Sequence, residues 1–233
     1  MREKKSDKSE MTNQVLFGES FQILKKTNKW SYIELHHDTY KGWVNNKQFQ
    51  ITTNLNNRFI ISNKKQAYIK INSIRQPLIL GSLITKNNKL KQEIHLNVNL
   101  SFSKMKPFEL WFVKIAKKYL NTPYLWGGRT TLGIDCSGYT QMVYRLFETS
   151  LPRDSHQQAK VGQEILDIKN IKMGDLAFFS KKNKINHVGI VLNKKQIIHA
   201  SGKVRIDKLD NNGIFNEESN SYTHTLQKIN RVI

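Results

Sequence analysis

Residues 124–138 read YLWGGRTTLGIDCSG, and the only cysteine of the chain, Cys136, stands near the end of that stretch. A glycine-rich loop at Gly127-Gly128 leads into it. Behind it Tyr139, Met142, Val143, Leu146 and Phe147 recur at helical spacing, which predicts an amphipathic helix with the cysteine in its first turn. A thiol placed there faces orphan backbone N–H groups and the positive end of the helix dipole, so the position predicts a favoured thiolate and amides suited to an oxyanion. One cysteine excludes an intrachain disulfide and a cysteine-rich zinc site, which leaves Cys136 as either a small buried hydrophobe or a reactive group.

A reactive thiol needs a general base, and no histidine adjoins Cys136. His187 and His199 are the candidates. His187 precedes Val188-Gly189-Ile190, His199 follows Ile197-Ile198, and a turn at residues 193–195 separates the two runs. Adjacent strands of a hairpin would bring the imidazoles together, His187 taking the thiol proton and His199 holding the ring in the useful tautomer. Taken singly, each histidine is more often a structural residue, and a lone buried cysteine more often inert.

Outward from this centre the chain divides in three. Residues 107–233 form one domain: Pro107 sits where a helix could start, with Leu110, Val113, Ala116, Tyr119 and Leu120 at helical spacing behind it. Strand-like runs follow at Leu176–Phe179, His187–Leu192, Ile197–Ala200, Val204–Ile206 and Leu226–Ile233. Helices first and an antiparallel sheet after them predict an α+β class. Residues 1–50 show short alternating runs at Val15–Phe17, Phe21–Leu24, Trp30–Leu35 and Gly42–Val44, the pattern of a small β-barrel. Gly18-Glu19 and Tyr40-Lys41-Gly42-Trp43-Val44 resemble the turn and aromatic strand of a bacterial SH3-like barrel, here with its first strand missing. Residues 51–106, with β-type runs at Phe59–Ile61, Ala67–Ile71, Pro77–Ile84 and His95–Leu100, predict a degenerate second barrel and a linker.

Tyr124, Trp126-Gly127-Gly128, Asp135-Cys136-Ser137-Gly138, Pro152-Arg153-Asp154-Ser155 with Gln158, Gly174-Asp175-Leu176, His187-Val188-Gly189-Ile190 and His199-Ala200 together resemble the NlpC-type family of papain-like bacterial cell-wall peptidases in order and spacing. The resemblance covers residues 107–233. It implies a Cys-His-His triad of Cys136, His187 and His199, with Tyr124 donating its hydroxyl to the oxyanion beside the Cys136 amide; the alternative for Tyr124 is an ordinary core tyrosine.

Val204-Arg205-Ile206-Asp207 after Ser201-Gly202 resembles the SH3-bearing branch of γ-D-glutamyl-L-diamino acid endopeptidases, which act on murein stem peptides with a free N-terminal L-Ala. A free ammonium needs carboxylates around it. The resemblance assigns Asp154 to it, Glu10 and Tyr40 of the barrel to the pocket end, and Trp126, Ser137 and Ser155 to the remaining walls. Each could instead be a surface residue or a helix cap. The implied role is recycling of imported muropeptides. No metal or organic cofactor is implied, and a monomer is expected.

The composition is that of a globular protein, 38% apolar and 24% charged, and no segment approaches the roughly 20 apolar residues of a bilayer crossing. Met1–Asn13 lacks the apolar run of a secretory signal, so the sequence as written predicts a cytoplasmic protein, or a periplasmic or extracellular one if the true start lies upstream. Thirty-eight Lys and Arg against 18 Asp and Glu give a net charge of +20, scattered from Lys4 to Lys228. That reads as solvated surface and not as a specific nucleic-acid site. Two other readings compete: a secreted hydrolase remodelling intact wall, and a basic wall- or nucleic-acid-binding protein with an inactive peptidase domain.

Overall fold

The computed structural model describes residues 1–51, 59–61, 66–71, 73–85, 92–93 and 108–233. The chain forms two compact units, residues 1–102 and 103–233.

In the first unit, strands β1 (Phe21–Lys26), β2 (Trp30–Leu35) and β3 (Lys41–Asn45) form an antiparallel meander. Alternation along β2 and β3 turns Ile33, Leu35 and Val44 into one apolar cluster, against which Val15, Phe21, Tyr40 and Phe49 pack. Ahead of the meander, Arg2 exchanges backbone hydrogen bonds of 2.8 and 2.9 Å with Trp43. Val15–Phe17 is not a strand. The buried Glu19 carboxylate takes the Leu16 N–H at 2.7 Å and the Glu19 N–H returns to the Leu16 carbonyl, so a local turn satisfies that backbone.

Farther on, β4 (Phe59–Ile61) pairs with β7 (Leu83–Thr85), and β5 (Gln66–Ile71) lies between β6 (Ile74–Ile79) and β8 (Gln92–Glu93). The single run expected over Pro77–Ile84 is broken by a turn at Leu80-Gly81. Pro77 sits in β6, an outer strand of its sheet, where a missing N–H costs no ladder bond. His95–Leu100 and Pro107 lie outside the described residues.

The second unit opens with α1 (Phe108–Ala116). Its buried face is Phe112, Ile115, Ala116 and then Tyr119; Leu110, expected inside, is 64% exposed. The hairpin β9 (Arg129–Thr130) and β10 (Gly133–Ile134) leads to α2 (Cys136–Arg145), and the short α3 (Ser155–Gln158) follows. Strands β11 (Gln163–Glu164), β12 (Leu176–Lys181), β13 (Lys184–Asn193), β14 (Gln196–Ser201), β15 (Lys203–Asp210), β16 (Gly213–Asn216) and β17 (Ser221–Arg231) make one antiparallel sheet in the order β11-β17-β12-β13-β14-β15-β16. β16 pairs again with the first half of β17, so six strands close into a ring.

Ala177, Phe179, Val191, Ile197, Leu209, Ile214 and Ile229 form the apolar cluster on one face of this sheet. Helix α2 packs on β13 and β14, with Tyr139, Met142, Val143, Leu146 and Phe147 all buried as the helical spacing predicts. Three bulges interrupt the ladders close together, with Asn186, Gln227 and Thr223 as the extra residues opposite Phe179–Ser180, Phe178–Phe179 and Ile214–Phe215. The β16 hairpin and the Ser221–Thr225 half of β17 were not expected from the sequence.

Candidate active site

Asp135 starts helix α2. Its backbone is extended (φ −94°, ψ 176°), and its Oδ1 accepts the Gly138 N–H at 2.7 Å, an N-cap that fixes Cys136 as the first helical residue. The other oxygen takes the Gly127 N–H at 2.8 Å, which ties the glycine loop to the same carboxylate. Arg153, 2% exposed, binds both oxygens, and its Nη1 also donates to Ser137 Oγ at 3.0 Å. This pair is buried yet fully hydrogen-bonded, the arrangement that offsets its desolvation cost. The helix comes within van der Waals reach of the loop: a Cβ on Gly138 would lie 2.4 Å from the Gly128 carbonyl oxygen.

The Cys136 sulfur accepts backbone hydrogen bonds from Val188, on β13, and from Ser137. The residue is 5% exposed. Burial pushes its thiol up to about 12, and the Asp135 carboxylate pushes the same way; the two N–H groups and Arg153 oppose them without prevailing. The expected thiolate is thus corrected. The helix terminus supplies its donors, but loss of water around a buried sulfur outweighs them, and the resting group is a neutral thiol.

Val188 follows His187, so the sulfur lies beside the strand that carries the candidate base. In the antiparallel register Gly189 stands opposite both Ala177 and His199, and His187 opposite Phe179. His187 and His199 therefore share the face of the apolar cluster. A Cβ at Gly189 would meet His199 Cβ at 2.8 Å and Ile197 Cδ1 at 2.7 Å, so glycine leaves the room that lets the two imidazoles meet. His187 Nε2 lies 2.8 Å from His199 Nδ1.

The chain of contacts continues to Asp207, which in the sequence is only part of a branch signature. His199 Nε2 is 2.9 Å from Asp207 Oδ2, and Arg205 grips the same carboxylate through Nε at 2.7 Å and Nη2 at 2.9 Å while Nη1 reaches Glu218. Burial opposes ionisation of Asp207, but the hydrogen bonds of His199 and Arg205 together outweigh it and hold the carboxyl below its ordinary value. An ionised carboxylate only accepts, so His199 Nε2 carries the proton. Burial, aided for His187 by its imidazole neighbours, lowers both His187 and His199, which are therefore neutral at pH 7. A neutral His199 protonated at Nε2 can only accept at Nδ1, so His187 donates from Nε2. Its Nδ1 is left with a lone pair, as a base requires.

A third imidazole lies here as well. His224, from the unexpected half of β17, stacks on His187 with centroids 4.1 Å apart and planes at 27°. Its only sequence signal was its residue type, in an exposed, polar stretch with no apolar alternation.

Tyr124 is half-buried, with Cys136 and Asp135 acting on its hydroxyl after burial itself to keep it protonated and able to donate. Trp126 is 58% exposed, with Leu125 and Leu132 also exposed on the same loop segment. Ser137 is turned inward to Arg153 and Asp135, and its carbonyl accepts from Thr140 and Gln158. Asp154 occupies the N-cap of α3, with its N–H donating to Gln157 Oε1 at 3.4 Å, and Ser155 is the first residue of that helix. Tyr40 packs in the core of the first unit, and Glu10 is exposed there, its carbonyl accepting from Glu3. Among the described residues no cluster of His, Cys, Asp or Glu is arranged to hold a metal ion, and no helix is long and apolar enough to cross a membrane.

Residues 121–221 match the NlpC/P60 family, and residues 1–49 match the bacterial dipeptidyl-peptidase SH3 domain. The gamma-D-glutamyl-L-lysine dipeptidyl-peptidase of Bacillus cereus is 25% identical over 246 aligned positions, covering 90% of this chain and 74% of that protein. Its namesake from Bacillus subtilis is 25% identical over 211, covering 80% and 71%. A crystal structure of an NlpC/P60 family protein from Bacillus cereus superposes with a TM-score of 0.80 at 22% identity, covering 95% of this chain and 82% of that one. The helix-capped cysteine, the hairpin of histidines and the matched segments lead to one conclusion: the chain carries an NlpC/P60 domain over residues 121–221, of papain-like α+β fold, preceded by a bacterial SH3-like domain over residues 1–49.

Proposed function

We propose that this protein is a cysteine peptidase that hydrolyses the γ-D-glutamyl-L-diamino acid bond of murein stem peptides bearing a free N-terminal L-Ala. The observation that carries the chemistry is the ordered relay from Asp207 through His199 to His187, which leaves His187 Nδ1 unprotonated on the strand whose next amide touches the Cys136 sulfur. The NlpC/P60 domain match and the two relatives named for γ-D-glutamyl-L-lysine cleavage support the bond and point to L-Lys as the diamino acid.

In this reading the thiol is activated during attack and not before it. As sulfur bonds to the scissile carbonyl carbon, its proton passes to His187 Nδ1, and the imidazolium is stabilised by the Asp207 charge through His199. The oxyanion is met by the Cys136 N–H at the start of α2 and by the Tyr124 hydroxyl. When the C–N bond breaks, His187 returns the proton to the departing diamino acid, leaving a thioester. Water, deprotonated by the same nitrogen, then releases L-Ala-γ-D-Glu and restores the thiol.

Asp154 is our assignment for the ammonium of L-Ala, since a desolvated cation without a carboxylate would cost several kcal/mol. That demand suits fragments already trimmed from the wall, and we assign the enzyme to muropeptide recycling in the cytoplasm. The test is incubation with L-Ala-γ-D-Glu-L-Lys and its N-acetyl form, with products identified by mass spectrometry and Cys136→Ala as control. Release of L-Ala-γ-D-Glu from the free peptide alone is expected; equal cleavage of both overturns the amine requirement, and undiminished cleavage by the variant overturns the cysteine mechanism.

A further inference from the structure

Among the described residues, His187 is held by a single hydrogen bond, Nε2 to His199. A ring fixed at one atom can still rock about that bond, and its catalytic nitrogen is on the far side of the ring. Three aromatic neighbours limit the rocking. Phe179 is tilted at 47° with centroids 5.8 Å apart, and His199 meets the ring edge-on at 86°. Only His224 lies flat against it, 4.1 Å away at 27°.

We propose that His224 is a positioning residue, whose flat contact holds the plane of His187 and keeps Nδ1 aimed at Cys136 while the proton moves out and back. This rests on the reading of Cys136 and His187 as nucleophile and base. The register that sets Thr225 opposite Gly213 sets His224 opposite Ile214, on the face that carries His187, and Thr223 Oγ1 bonds His224 Nδ1 at 2.9 Å. Other titratable groups near it are His199, whose ring centroid is 5.7 Å away, and Asp207 behind it. Burial first, then His199, lowers His224 to about 4 against the pull of Asp207, so the ring is neutral over the range in which His187 works and adds no charge against the imidazolium. Unlike the other two imidazoles it is only partly buried, which leaves it replaceable without opening the core.

The test compares His224→Ala, His224→Leu and His224→Phe with the parent, each first checked for an unchanged melting transition. Leu keeps the volume should Ala fail to fold, and Phe keeps a flat ring without nitrogen. Two readouts run in parallel: kcat and KM on L-Ala-γ-D-Glu-L-Lys, and the rate at which iodoacetamide alkylates Cys136 at neutral pH, with His187→Ala as reference. An offset-stacked aromatic contact is of the size to change kcat by about tenfold. Loss of that order in Leu and Ala with unchanged KM, recovered to within about threefold in Phe, is expected, and alkylation should follow the same order. Parental rates in Leu and Ala, or a Phe variant as slow as they are, overturn the proposal. If even the parent fails to cleave the peptide, alkylation still decides: the order Phe above Leu and Ala upholds positioning while the peptide assignment alone falls, and equal rates reject it.

Discussion

Replacing Asp207 with Asn tests the relay at the point farthest from the sulfur. The substitution keeps size and shape but removes the charge and one acceptor. Asp207 accepts three hydrogen bonds, from His199 Nε2 at 2.9 Å and from Arg205 Nε at 2.7 Å and Nη2 at 2.9 Å. An amide cannot accept all three, because its nitrogen must face either Arg205 or His199. If it faces Arg205, the guanidinium swings toward Glu218, the tautomers survive, and only the charge is lost. The carboxylate lies about 8 Å from His187 along the relay, which at an effective dielectric of ~20 gives about 2 kcal/mol of imidazolium stabilisation. That corresponds to a kcat loss of ~30-fold. If the amide nitrogen faces His199 instead, both tautomers reverse, Nδ1 of His187 carries a proton, and the loss approaches the ~10,000-fold seen when a triad histidine is held in the wrong tautomer. We therefore expect kcat to fall at least ~30-fold, with KM little changed, in steady-state assays on L-Ala-γ-D-Glu-L-Lys. A variant within about threefold of the parent, folded by circular dichroism, would show that the charge behind His199 does not act on the base.

Two further outcomes follow from the same geometry. Because burial raises the Cys136 thiol to about 12, ultraviolet titration should reveal no thiolate at neutral pH, and alkylation should accelerate as pH rises above neutrality; because His187 lies well below 6.5, the acid limb of kcat/KM should fall below that value. A thiolate signal already present at pH 7 contradicts this. Gly189→Ala places a Cβ 2.8 Å from His199 Cβ and should destabilise the fold by ~1–3 kcal/mol while lowering kcat more than its melting temperature alone explains; unchanged activity in a urea-titrated, fully folded sample would show that His199 has room to spare.

The parts of this molecule that the sequence announces are those whose meaning is local. Asp135 before Cys136 marks a helix start, apolar residues at helical spacing mark the buried side of α2, and His187 and His199 flank a visible turn. What escaped depends on contacts made across the sheet. The thiol's state follows from how much protein covers it, and a position in a helix says nothing of that. Asp207 joins His199 only through the pairing of β14 with β15, offset by the reach of the side chain. His224 is thirty-seven positions from His187 in the chain and arrives beside it only because β17 sets it opposite Ile214, on the face that carries His187. Leu110, read as inward and found outside, shows the same limit at smaller scale: spacing gives the period of a helix, while its neighbours set the angle.

The extra residues Asn186, Thr223 and Gln227 give chain length itself a role near the histidines. Removing any one of them alone would leave the flanking residues opposite their present partners, whereas removing a paired neighbour would exchange inner for outer side chains along the strand until the next irregularity or turn absorbed the slip. Deleting Thr225, for example, would set His224 opposite Gly213 and turn it to the other face with every atom of it intact, while deleting Thr223 would leave it opposite Ile214. The counting of paired residues is therefore as binding as their identity, and relatives should carry one-residue gaps at these three extra positions far more readily than beside them.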